Sequence, residues 1–286
     1  MSARVPARAA LAGNPSDGYG GAVLAVTLPQ LSAEVTLAPD ASGGGGAIDL
    51  LEATLARFAR EFGGRARVLD WQTSIPRSVG LGGSSAIVIA ALRALCELHA
   101  VVLEPAELAE LALSIERDDL GIAAGLQDRV AQAYGGLTFM DFSGPGRYER
   151  LDLGLLPPLL IAWRAHTARH SGVVHGDLLA RFQAGEPLVH EGMRELGLIA
   201  ARARDALLAS DQRGLREAAD ASFEWRRRMV TLDPLHVEMV DTARAAGAGV
   251  NYTGSGGSVA CICADQAALD RVAAALEAIG CLTMRL

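Results

Sequence analysis

The amino-acid sequence predicts an α+β protein of two packed domains. Short strand-like segments alternate with longer segments of helical apolar spacing in both halves of the chain. A length of 286 residues, half of them hydrophobic, is enough for one large core or two modest ones. Pro157-Pro158, between Leu151-Asp152-Leu153 and the apolar run Leu159 to Trp163, marks a boundary that divides the chain into residues 1–155 and 156–286.

Along the chain, Arg8 to Leu11 and Ala22 to Leu28 read as short strands around a polar turn, Gly13 to Gly21, and Glu34 to Leu37 as a further strand. The glycine run Gly43 to Gly46 reads as a flexible loop. Ile48, Leu51, Leu55, Phe58 and Phe62 recur at helical spacing, which predicts an amphipathic helix over Asp49 to Phe62. Leu69, Trp71, Thr73 and Ile75 alternate as in a half-buried strand, and the alanine-rich run Ile87 to Leu98 reads as a helix. Trp71 has the ring to stack on an adenine, but core packing is the expectation. Pro105 suits the first turn of a helix carrying Leu108, Leu111 and Ile115. The second half predicts helices at about Val189 to Leu208 and Leu215 to Met229. A glycine turn, Thr253 to Gly257, then leads into a strand, Val259 to Cys263. A helix bearing Leu269, Val272, Leu276 and Ile279 and a last strand, Leu282 to Leu286, complete the chain.

Composition excludes several function classes. The net charge of −7 argues against broad nucleic-acid binding, and no apolar run is long enough to span a bilayer. Nothing at the N-terminus reads as a signal segment, so the cytoplasm is the expected compartment. Cys96, Cys261, Cys263 and Cys281 match neither a zinc site nor a disulfide framework and read as reduced core residues. All 26 basic residues are arginine. Schiff-base chemistry and a lysine clamp on phosphate are therefore ruled out, and arginine is left to grip carboxylate or phosphate with two prongs.

The most informative stretch is Pro76-Arg77-Ser78-Val79-Gly80-Leu81-Gly82-Gly83-Ser84-Ser85-Ala86, between the strand ending near Ile75 and the following helix. Glycine lets a backbone approach a ligand, and a helix start offers unpaired N–H groups and the positive end of its dipole. That suits phosphate, although an ordinary capped helix joint would look similar. The loop is neither a dinucleotide fingerprint nor a Walker loop. A second constellation, Glu116 to Arg129, gathers Glu116, Asp118, Asp119 and Asp128 with two arginines. Gly121 and Gly125 would break the helix there and let Glu116 and Asp128 converge, one to hold Mg²⁺ and one to orient or deprotonate a hydroxyl. A solvated helix end is the plain alternative. Thr253-Gly254-Ser255-Gly256-Gly257 is a second backbone-rich concavity, or a simple hairpin turn. Two such loops and an acidic pair together point to phosphoryl transfer.

Taken together these segments resemble the GHMP kinase superfamily, whose three motifs occur in order across nearly the whole chain. The second motif, usually Pro-x-x-x-Gly-Leu-Gly-Ser-Ser-Ala, is here Gly80-Leu81-Gly82-Gly83-Ser84-Ser85-Ala86, with one extra residue before the serine pair. The ungapped alignment favours Ser84 as the metal- or phosphate-facing hydroxyl, with Ser85 the other candidate. Gly13-Asn14-Pro15-Ser16-Asp17 replaces the Gly-Glu-His of many members. With Gly125 to Leu137 and Phe139-Met140-Asp141-Phe142-Ser143, it is similar to the glucuronokinase branch.

The resemblance implies a two-domain fold, the N-terminal domain of the ribosomal protein S5 domain 2-like type and the C-terminal domain ferredoxin-like. It implies ATP held by Gly80, Gly82, Gly83, Ser84, Ser85, Ala86, Gly254 and Gly256, and Mg²⁺ held by Ser84 or Ser85 with Glu116. Asp128 takes the place of the catalytic aspartate, and Arg8 that of an arginine near the transferred phosphoryl. Asp17, with Asn14, Ser16 and Thr253, falls where relatives bind sugar. A sugar acid also needs a cation for its carboxylate; Arg226, Arg227 and Arg129 are candidates, with Arg227 placed first. The expected activity is a sugar-1-kinase acting on glucuronate. The same chemistry on galacturonate, galactose or arabinose, or a catalytically silent ligand-binding relative, are the alternatives. Small-molecule substrate only, no nucleic acid, no membrane, and a monomer or homodimer complete the expectation.

Overall fold

Strand β1 spans Ser2–Ala12 and strand β2 Ala22–Pro39 in the computed structural model, which describes residues 1–40, 48–164 and 171–286. Both are longer than their apolar segments predict. Ala22 to Leu28 and Glu34 to Leu37 are one strand, interrupted in sequence by Pro29 and Gln30; both are exposed, where a missing N–H costs little. The glycine run Gly43 to Gly46 lies outside the described residues.

Helix α1 covers Asp49–Phe62, as its apolar period predicts, burying Leu51 and Phe58 and ending on left-handed Gly63. Strand β3 (Ala66–Thr73) follows and pairs antiparallel with β2, Val35 opposite Trp71. Trp71 is half-buried rather than a core residue. Helix α2 (Gly83–His99) starts four residues before its apolar run, because Gly82, at φ +72°, caps it. Helix α3 (Pro105–Ser114) opens on a capping box between Glu104 and Glu107. A π-helical turn, Ile115–Asp119, continues it, and helix α4 (Gln127–Tyr134) comes after a short irregular stretch.

The chain goes on through β4 (Leu137–Asp141), β5 (Arg147–Leu151), β6 (Leu159–Trp163), α5 (Ser171–Gln183), α6 (Pro187–Leu208) and α7 (Gln212–Met229). It closes with α8 (Pro234–Ala245), β7 (Gly249–Tyr252), β8 (Ser258–Ile262), α9 (Gln266–Ala278) and β9 (Leu282–Arg285). Sequence periodicity missed α4, α5 and α8.

Two compact units emerge, interleaved along the chain, whereas the sequence reading places a single boundary at 155/156. One comprises Met1–Arg8, Thr27–Ile75 and Gly82–Gly135. In it α2 packs on α1, α3 and α4 around Leu92, Leu95, Leu108 and Val130. The other comprises Ala9–Val26, Pro76–Leu81 and Gly136–Leu286. Its antiparallel sheet runs β7-β8-β6-β9, with α8 and α9 closing a core of Met239, Val240, Val259, Leu269 and Leu276. Here too β4 pairs with the start of β2 and with β5, and α6 lies along α7. Cys261, Cys263 and Cys281 are buried free thiols, and Cys96 is a half-buried one. No helix among the described residues is long and apolar enough to cross a membrane.

Candidate active site

The helix-start chemistry of α2 is set by Gly82. Its carbonyl accepts from Ala86 N at 3.1 Å, Ser85 Oγ at 3.1 Å and Gln132 Nε2 at 2.8 Å. Ser85 is fully buried with its hydroxyl turned back onto Gly82, whereas Ser84 is exposed. Of the two serines, Ser84 presents the hydroxyl open to a ligand. The first-turn N–H groups of α2 have no intrahelical acceptor and carry the positive end of the helix dipole. A side chain on Gly82 would sit 3.1 Å from Gln132 Nε2 and 3.3 Å from Arg8 Cγ, so the glycine admits the arginine stem beside the loop.

Arg8 and Asp128, separated by 120 positions in sequence, form a two-pronged pair, Nε to Oδ1 at 2.7 Å and Nη2 to Oδ2 at 2.6 Å. Arg8 is buried and Asp128 partly open. The pair fixes the orientation of the Asp128 carboxylate, each of whose oxygens can accept more than one hydrogen bond. Glu116 and Asp128 do not meet directly; Arg129 stands with them. Its Nε and Nη2 both donate to Glu116 Oε2, and Nη1 lies 3.9 Å from Asp128 Oδ2. Nη1 also donates to Gly125 O at 2.8 Å. The glycine that breaks the helix thus supplies a carbonyl to hold the arginine. With its guanidinium committed to Glu116, Arg129 is no longer a candidate for the sugar carboxylate.

Glu116 is completely buried, and its Oε1 has no hydrogen-bond partner. Glu116 Oε1 and the exposed Ser84 hydroxyl are both hard oxygen donors, the kind of atom that Mg²⁺ takes. No cluster of three His, Cys, Asp or Glu exists among the described residues, so the protein alone offers few ligands. Glu116→Gln is expected to lower stability by about 3 kcal/mol, because it takes from the buried Arg129 guanidinium the carboxylate that two of its nitrogens grip and leaves only the more distant Asp128. A urea unfolding midpoint equal to that of the unaltered chain would contradict this.

The other half of the candidate residues lies in the second unit. Asn14 is buried, and its Nδ2 donates to Tyr252 O at 3.1 Å and Gly254 O at 3.3 Å. Its Oδ1 accepts from Asn251 Nδ2 at 2.8 Å. Ser16 is buried, its hydroxyl donating to Ala22 O at 2.9 Å. Thr253 is buried, with Oγ1 donating to Gly80 O at 2.9 Å and in close contact with Ser258 Oγ. Ser258 Oγ in turn donates to Val79 O at 2.6 Å. These three polar side chains, expected on a sugar, are engaged in clipping the third-motif turn to the Val79-Gly80 segment and in closing the N-terminal turn. Asp17 alone of this group is half-exposed, on a short 3-10 turn beside Tyr19. Burial, and then the Asp17 carboxylate, raise the Tyr19 hydroxyl above its ordinary pKa.

Gly80 and Gly256 meet almost backbone to backbone. A side chain on Gly80 would lie 2.8 Å from Gly256 O and 3.0 Å from Ser255 N. Beneath this junction lies a residue that the sequence reading ranked below its neighbour. Arg226 is 1% exposed, donates from Nη1 to Gly254 O at 2.5 Å, and packs its guanidinium over the Tyr252 ring at 5.3 Å. Arg227 and Arg228 are exposed instead and line an open cavity of about 920 Å³ with Asp177, Arg181 and Glu238. The periodicity of α7 carried the signal: Leu215, Ala218, Ala219, Ser222, Phe223, Arg226 and Met229 form its buried stripe. Burial raises the Tyr252 hydroxyl strongly, and Arg226 only partly offsets that.

The family described as GHMP kinases N terminal domain matches residues 49–136, and GHMP kinases C terminal matches residues 203–280. Glucuronokinase 1 of Arabidopsis thaliana is 42% identical over 207 residues, 68% of this chain and 57% of that protein. The chain therefore matches little more than half of that relative's length. The crystal structure of a Lactococcus lactis galactokinase complexed with galactose superposes with a TM-score of 0.79 at 16% identity, covering 100% of this chain and 93% of the other. A D-glycero-D-manno-heptose 1-phosphate kinase from Bacteriodes thetaiotaomicron gives 0.76 at 21% identity, over 99% and 94%. At those identities the two structures speak for the fold alone.

Proposed function

This chain belongs to the GHMP kinase superfamily, and from that premise we propose that it transfers the γ-phosphoryl group of ATP to the anomeric hydroxyl of a sugar acid, D-glucuronate first among them. One observation carries the transfer chemistry: the two-pronged Arg8–Asp128 pair, whose arginine stem runs beside Gly82 of the glycine loop. The choice of glucuronate rests on the 42% identity with Glucuronokinase 1.

In this reading the N-terminus of α2 and the Gly80–Ala86 backbone hold the nucleotide phosphates. Asp128, fixed by Arg8, orients the sugar hydroxyl and accepts its proton as the new bond forms. Arg8 places positive charge next to that oxygen, in a chain where lysine is not available. Ser84 and Glu116 would hold Mg²⁺, whose chemistry when bound is to neutralise charge on the phosphates. Asp17 is left as the acid for sugar hydroxyls. The remaining lines of the reading are a small-molecule substrate, a cytoplasmic setting, and a monomer or homodimer.

The test is a panel of free sugars and sugar acids with Mg-ATP, scored for ADP release with and without Arg227→Ala. Turnover on glucuronate above neutral sugars is expected, and absence of turnover on every sugar acid would sink the proposal. Arg227→Ala is expected to raise the KM for glucuronate about ten-fold while sparing a neutral sugar, the worth of one charge-assisted contact. Equal losses on both would assign the carboxylate to another group.

A further inference from the structure

We propose that Gln132 is a positioning residue that holds the nucleotide loop and the Arg8–Asp128 pair in one fixed arrangement. The role rests on the kinase reading above. Asp128 and Gln132 stand four apart on α4, hence one above the other on the same helix face. The lower one grips Arg8 of β1. The upper one spends both N–H bonds of a single amide on two separate carbonyls, Gly82 O at 2.8 Å and Pro6 O at 3.1 Å. Pro6 is two residues before Arg8 on β1, and Gly82 is the cap of α2. One side chain therefore ties the strand carrying Arg8 and the helix start of the loop to the helix carrying Asp128. Arg93 locks that helix from behind, donating from Nη2 to Gln132 O at 3.2 Å and Ala133 O at 3.0 Å.

Gln132 is a costly way to fill this space. It is 1% exposed, and its Oε1 has no hydrogen-bond partner. A buried polar atom of that kind costs about 1–3 kcal/mol. An apolar side chain of equal length would avoid the cost. What the amide adds is its pair of donors, and two carbonyl acceptors leave no doubt which end is nitrogen. A residue that only filled the core would be replaceable by methionine without consequence for turnover.

Gln132→Met keeps the length and removes the donors. It is expected to fold, to lower kcat roughly ten-fold and to raise the KM for Mg-ATP by a similar factor, while the sugar KM stays within about two-fold. Unchanged kinetic constants, or a fall in kcat that matches the loss of folded protein in a thermal melt, would overturn the proposal. Should the methionine variant fail to fold, Gln132→Asn, which keeps the amide but shortens its reach, is read in the same way. Titration with a fluorescent ATP analogue separates this proposal from the kinase reading. If the unaltered chain phosphorylates no sugar, a weaker analogue affinity in the variant still supports the positioning role, and an unaltered affinity still overturns it.

Discussion

Asp128→Asn is expected to lower kcat by at least about a hundred-fold while leaving nucleotide affinity within about two-fold of the unaltered chain. The side chain keeps its size, so the loop carrying Gly82 is not displaced. What changes is the match to Arg8. Arg8 Nε and Nη2 now face Oδ1 and Oδ2, both acceptors. An amide offers one acceptor and one donor, so one of the two prongs becomes donor against donor. The base is lost and its orientation with it. Turnover measured by ADP release, with nucleotide titration in parallel, checks both halves. Retention of most activity would show that Asp128 neither orients nor deprotonates the accepting hydroxyl.

Gly80→Ala is expected to cost about 2–4 kcal/mol of stability and to abolish nucleotide binding. Gly80 sits at φ +74°, where any side chain is strained, and the new methyl group would meet the Gly256 carbonyl at 2.8 Å. Nothing flexible is available to move, since both neighbours are backbone. Gly83→Ala is the informative control. Gly83 opens α2, and the nearest atom to a new methyl group is Ile75 Cγ2 at 3.5 Å, an ordinary contact. That variant is expected to melt within a few degrees of the unaltered chain. If it nonetheless loses nucleotide affinity, the extra glycine of the loop is there for the ligand, not the fold. A stable Gly80→Ala variant that binds nucleotide normally would refute the close-approach argument.

Local pattern revealed α1, α2, α9 and the third-motif turn, because each depends on spacing within a dozen residues or on glycine punctuation. It divided β2 at Pro29, since proline reads as a stop although an exposed strand position tolerates it. It also brought Glu116 and Asp128 forward as a pair without seeing that Arg129 would stand with both. The residues it passed over share a trait. Gln132 bonds to Pro6 across 126 positions, and Asn251 bonds to Asn14 across 237. An amide in a helix or strand looks inert until the distant carbonyl it serves is known. Arg226 differs, because the buried stripe of α7 already pointed to it.

Strand β1 and the turn after it have a fixed count. Ala10 N donates to Thr253 O at 2.9 Å, and Asn14 is held by Tyr252 and Gly254. Side chains alternate along a strand, so one residue more or fewer between positions 10 and 14 would pull Asn14 off its carbonyls. This segment can change its letters but not its length. Insertions and deletions in related chains should therefore collect elsewhere and spare it, and a library of single-residue deletions should find it among the least tolerant stretches of the protein.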